Sequence, residues 1–77
     1  MTLIIPGRYR HFKGKEYEVL GVGRHSETLE EFVIYRALYE SAEFGKHALW
    51  VRPLKMFTQH VEKEGYSGPR FFLISKD

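Results

Sequence analysis

Arginines and aromatic residues interleave in three stretches of this 77-residue chain: Arg8-Tyr9-Arg10-His11-Phe12, Tyr35-Arg36, and Trp50-Val51-Arg52. On extended backbone such interleaving brings guanidinium groups beside π-faces. A surface of this kind can stack unpaired bases while Arg and Lys follow the phosphates, as β-barrel readers of single strands do. The competing reading is an aromatic core with arginine stems lying over it. Alternation places Arg8, Arg10 and Phe12 on one face of a strand and Tyr9 and His11 on the other, so these aromatics cannot all be buried together. The expected contact patch centres on Arg10, His25, Arg36, Trp50 and Arg52, with Glu27 and Tyr35 as further candidates.

Other chemistries find less support. His11, His25, His47 and His60 form neither an H-x-H nor an H-E-x-x-H pair, and there is no cysteine, so no metal site is expected. His25 and Glu27 lie two apart and could share one side of a continued strand as an acid/base fragment. Ser26, Glu27 and Thr28 together read more simply as turn chemistry, in which short polar side chains satisfy nearby backbone groups. None of the candidate nucleophiles Thr2, Ser26, Thr28, Ser41, Thr58, Ser67 and Ser75 sits in a G-x-S-x-G elbow. Gly21-Val22-Gly23 lacks the third glycine and the lysine of a phosphate loop. Neither a catalytic residue nor a cofactor is assigned.

The elements that must position these residues are short. Pro6-Gly7, Lys13-Gly14-Lys15, Gly65 and Gly68-Pro69 punctuate the chain. Between them, segments rich in aromatic and β-branched residues predict five strands: Arg8 to Lys13, Glu16 to Arg24, Phe32 to Tyr39, Leu49 to Arg52, and Arg70 to Ser75. In the second, Tyr17 and Val19 alternate with glutamates, then Leu20 and Val22 take the opposite parity between glycines, which predicts a bend where the buried face switches. Thr28 with Glu31 matches a helical capping box, but Phe32-Val33-Ile34-Tyr35 is a dense β-forming run and is assigned as strand. Pro53 suits the start of a helical or 3₁₀ turn to about Gln59, with Leu54, Phe57 and Val61 on one side and Lys55 and Gln59 outside. The expected fold is all-β: one small five-stranded SH3-like barrel over residues 1–77, plugged by that turn after the fourth strand.

Composition bounds the rest. With 43% hydrophobic and 16% aromatic residues the chain can bury one core, and it has no disulfides to supplement it. The opening residues lack a basic n-region and a long apolar run, and charges interrupt every candidate membrane segment, so a soluble protein without membrane contact is expected, and the absence of cysteine fits a reducing cytoplasm. Charge runs basic, acidic, basic: five Lys or Arg against two Glu over residues 1–26, one against five over 27–43, and six against three thereafter.

The strings Pro6 to Gly14, Arg24-His25-Ser26-Glu27-Thr28, Tyr35-Arg36-Ala37-Leu38-Tyr39 and Leu49-Trp50-Val51-Arg52-Pro53 resemble a bacterial family of unknown function, DUF1653, over Pro6 to about Phe72. The resemblance implies a small cytoplasmic bacterial protein with a compact β-barrel, and no established activity. Its shared strings correspond here to His25, Glu27, Tyr35, Arg36, Trp50 and Arg52. Three functions remain open. The leading one is a non-catalytic module for nucleic acid or another anionic partner. The others are a protein- or peptide-interaction module, and a small enzyme or ligand-binding protein using His25 and Glu27 with Arg36 or Arg52 as an anion clamp.

Overall fold

A computed structural model describes residues 4–76; Thr2 and Leu3 of the opening arm lie outside them. The elements in chain order are β1 (Gly7–His11), β2 (Glu16–Arg24), β3 (Glu31–Ala37), β4 (Glu40–Ser41), β5 (Gly45–Lys46), β6 (Leu49–Pro53), α1 (Leu54–Phe57), β7 (His60–Lys63), β8 (Tyr66–Pro69) and β9 (Phe71–Ser75). The protein is mainly β, and all five strands expected from the sequence form. The dense run at Phe32 to Tyr35 is strand, and Thr28 serves the preceding turn by accepting the Glu30 N–H at 3.2 Å.

Strands β6, β3, β2, β1 and β9 pair in that order, all antiparallel, while β4–β5 and β7–β8 are separate hairpins. The bend anticipated in β2 is a bulge: Val19 pairs with Tyr35 and Gly21 with Ile34, leaving Leu20 as the extra residue. One inserted residue flips the parity of everything beyond it, which reconciles the two apolar registers of this strand. At the other side of the sheet, Gly7 takes a φ of 148°, and a Cβ there would run into the Ser75 carbonyl oxygen and the Lys76 backbone. Only glycine lets β1 and β9 approach so closely at this point.

The core lies on the concave side. Tyr9, Val19, Val33, Tyr35 and Phe71 converge there with Phe57, which α1 inserts from the end of β6. Phe57 stacks on Phe71 at 4.2 Å and 5°, and Tyr9 and Tyr35 meet its ring edge-on at 5.7 and 5.5 Å. Burying one aromatic against three others is an efficient core for so short a chain. Lys55 and Gln59 stay exposed, as expected of the plug.

Two features depart from expectation. The sheet does not close into a barrel wall: β6 and β9 are its two edges and do not pair. Side chains occupy the gap instead, with the Arg52 guanidinium from β6 lying 5.5 Å from the centroid of Phe71 on β9, and Phe57 stacked behind. The two short hairpins were also unforeseen. Among the described residues no helix is long and apolar enough to cross a membrane.

Candidate functional site

Sheet register sorts the arginines by face. On the convex side Arg8 and Arg10 of β1 stand across from Glu18 and Glu16 of β2, and Glu18 stands across from Arg36 of β3. The result is a ladder of alternating charge: Arg10 Nη2 meets Glu16 Oε2 at 2.8 Å, Arg8 meets the same carboxylate at 3.8 Å, and Arg36 meets Glu18 at 3.1 Å. The Arg10 hydrogen bond holds the Glu16 carboxyl below its usual titration range. Arg24 and Glu31, paired at the end of the β2–β3 ladder on the same parity as Val22 and Val33, lie on the other side of the sheet and also meet at 3.8 Å. Exposed pairs of this kind add little stability, but those of Arg8, Arg10 and Arg36 neutralise the convex face.

The concave side is different. Trp50 and Arg52 pair with Tyr35 and Val33 respectively and so share the inner face with them. With Tyr17 of β2 and Tyr39, which follows β3, Tyr35, Trp50 and Arg52 line a cleft of about 260 Å³. Arg52 Nε donates to the Tyr35 hydroxyl at 3.2 Å, and among the described residues Arg52 has no carboxylate partner. The Tyr17 and Tyr39 hydroxyls share a hydrogen bond of 3.0 Å, and the Lys15 ammonium sits 4.4 Å above the Tyr39 ring. Burial, reinforced by the Tyr39 hydrogen bond, pushes the Tyr17 phenol well above its ordinary range, so it stays protonated. The β4–β5 hairpin sets Phe44 edge-on against Trp50 at 5.0 Å. The buried Trp50 indole N–H finds no acceptor within the described protein.

His25 and Glu27 lie elsewhere, in the exposed turn joining β2 to β3. The His25 Nδ1 accepts backbone N–H groups from Glu27 at 3.1 Å and Thr28 at 3.3 Å, while the His25 carbonyl accepts the Leu29 N–H and its own N–H donates to Glu30. The imidazole is thus a turn-former with one nitrogen committed to the backbone. Its ring also borders an apolar depression with Gly23, Phe32, Ile34 and Val51 on the convex face. Among the described residues no three His, Asp or Glu side chains gather as a metal site.

Of the seven residues singled out by sequence, the structure brings together Tyr35, Trp50 and Arg52. It places Arg10 and Arg36 on the opposite face and His25 and Glu27 in a hairpin turn. Sequence reasoning missed Tyr17 and Tyr39 as cleft residues. The signal was present, since Tyr17 pairs opposite Ala37 two residues before Tyr39, but only the register reveals it.

The arrangement can hold flat or anionic groups against π-faces, hydroxyls and a cation, and comparison with known proteins adds no chemistry to that. No functionally curated protein matches the chain significantly. A crystal structure of a Bordetella bronchiseptica protein belonging to DUF1653 superposes with a TM-score of 0.84 at 34% identity, covering 96% of this chain and 91% of that one. The family described as "Protein of unknown function (DUF1653)" matches residues 7–73, a span that holds every strand named here except the last two residues of β9. On the strength of both, the chain belongs to the DUF1653 family.

Proposed function

We propose that this protein is a non-catalytic binding module whose concave cleft takes single-stranded nucleic acid, a base lying against Trp50 and the tyrosines and a phosphate meeting Arg52 and Lys15. One observation carries the reading: Arg52 stands in an aromatic cleft without a carboxylate, whereas Arg8, Arg10, Arg24 and Arg36 all face glutamates. A guanidinium already inside the cleft disfavours a cationic ligand such as an alkylated ammonium and favours an anion or an electron-rich plane. Catalysis is not supported, because the residues lining the cleft include no histidine or carboxylate to serve as a general base.

We further infer an SH3-like arrangement acting in the bacterial cytoplasm. Support for the fold comes from the first strand lying between the second and the last, from the bent β2, and from the helical plug between β6 and β9.

Trp50 is the sole tryptophan, so its fluorescence reports directly on the cleft. Titration with single-stranded DNA and RNA at low salt is expected to change that emission, and added salt is expected to weaken the complex, since binding releases counterions. An unchanged emission together with no binding by anisotropy at low salt overturns the proposal.

A second reading has its own observation: Leu49 and Val51 on the edge strand β6 are 65% and 63% exposed. An unpaired apolar edge can accept an extended peptide as an added strand. Slowed amide exchange in residues 49–52 on adding a peptide library, with no response to nucleic acid, would favour it.

A further inference from the structure

The cleft is one end of a longer run of ring contacts. Tyr39 meets Tyr17 at 5.6 Å, Tyr17 meets Phe71 at 5.7 Å, Phe71 meets His11 at 4.8 Å, His11 meets Phe12 at 4.6 Å, and Phe12 stacks on Tyr66 at 5.4 Å and 20°. Phe71 is buried, so solvent sees two aromatic stations, the cleft and the Phe12–Tyr66 pair, with His11 between them. Cations stand over rings along the whole run: Lys15 over Tyr39, Arg52 over Phe71, and Lys13 over Phe12 at 5.9 Å. The second station has its own depression of about 410 Å³, lined by Phe12, Lys13, Lys63, Glu64 and Tyr66.

The second station is also held in place. Tyr66 donates its hydroxyl hydrogen to the Pro69 carbonyl at 2.7 Å, which lays the ring over the β8 backbone, and a Cβ on Gly68 would come within 2.7 Å of that hydroxyl. The β1–β2 turn that carries Phe12 is tied by Gly14 N–H to His11 O at 2.8 Å, by Lys13 N–H to His11 Nδ1 at 3.1 Å, and by Phe12 N–H to Arg70 O at 2.9 Å. A turn and a strand from distant parts of the sequence thus present a fixed pair of rings beside two lysines. Fixed rings lose little freedom when a base stacks on them.

We propose that Phe12 and Tyr66 form a second base-stacking station, with Lys13 and Lys63 meeting the phosphates, so that a single strand spans from Trp50 to Tyr66. This rests on the cleft reading above and extends it. The ligand is therefore an oligonucleotide rather than a nucleotide, and affinity grows with length until both stations are filled. Each base stacked on an aromatic accounts for roughly tenfold in affinity.

Oligothymidylates and oligouridylates from dinucleotide to octanucleotide, titrated against the full chain at low salt, test this. The expected result is affinity rising with length in the native protein. Phe12→Leu and Tyr66→Leu, which keep apolar bulk, are expected to flatten that rise by roughly tenfold while leaving dinucleotide affinity unchanged. Glu64→Gln removes the one carboxylate at the second station and is expected to tighten the octanucleotide roughly twofold without affecting the dinucleotide, a gain that misfolding cannot imitate. If oligonucleotides bind through Trp50 and Arg52 but the length dependence survives both leucine variants and E64Q, the second station is overturned and the cleft reading stands. If no oligonucleotide of any length binds, the cleft reading fails and takes this one with it.

Discussion

Arg52 Nε donates to the Tyr35 hydroxyl at 3.2 Å, and this bond joins a strand-edge cation to a residue that is only 4% exposed. The guanidinium is thereby held against the aromatic cleft instead of extending into water. Its planar fork keeps further N–H groups for a ligand, which a lysine could not do in the same pose.

Replacing Arg52 should therefore separate it from the arginines that face glutamates. Arg52→Gln and Arg52→Lys are each expected to weaken single-strand binding roughly tenfold, with the glutamine variant also lowering the salt slope by about one unit. Arg10→Gln and Arg36→Gln are expected to change affinity less than about twofold, because Glu16 and Glu18 already neutralise those charges. Anisotropy titrations across a salt series check all four.

His25 is expected to be a turn-former. His25→Ala removes the acceptor for the Glu27 and Thr28 N–H groups and should cost about 1 kcal/mol, a fall in Tm of roughly 4–8 °C for a domain of this size. Nucleic-acid affinity should be unchanged. A binding loss with native Tm would return His25 to the site.

Acid should weaken the fold in two stages. Burial lowers the His11 pKa from 6.5, with Arg52, Arg70 and Lys13 adding to the effect, so the unfolded chain binds the proton more readily than the folded one. His11 consequently contributes full stability above pH 6.5 and loses it as pH falls toward its folded value. The Glu16 carboxyl, held down by Arg10, contributes above pH 4.5 and is lost below it. A Tm measured against pH should begin to drop just below neutrality, and His11→Gln should remove that first decline while leaving the second.

Phe57→Ala tests the plug. The side chain is 1% exposed and touches Tyr9, Tyr35 and Phe71, so the loss of transfer energy plus a cavity is about 3–5 kcal/mol. For a domain of marginal stability that is enough to unfold most of the population at 37 °C, readable by circular dichroism. Phe57→Leu should retain the fold with a lowered Tm.

The main strands were legible because each carries enough β-branched and aromatic residues to announce itself, and Pro53 announced the plug. Even the Leu20 bulge was written in the parity change between Val19 and Val22. The β7–β8 hairpin was not legible: His60–Lys63 has one apolar residue, and Tyr66–Pro69 contains both Gly68 and Pro69, which read locally as loop. Edge hairpins tolerate such residues, since few of their N–H groups need partners. The site was half legible for a related reason. Tyr35, Trp50 and Arg52 converge through cross-strand register, and Arg10 and Arg36 are cancelled through the same register, yet neither partner of either pair adjoins the other in sequence.

The gap between β6 and β9 is also expected to set the order in which the molecule comes apart. Among the described residues those two margins are joined by the Arg52–Phe71–Phe57 side-chain stack and by no rung of backbone bonds, so the seam can part without breaking a ladder. Deuterium should thus enter the outward amides of both margins through small openings, while the amides shared by β2 and β3 at the centre of the sheet exchange only when the whole domain unravels.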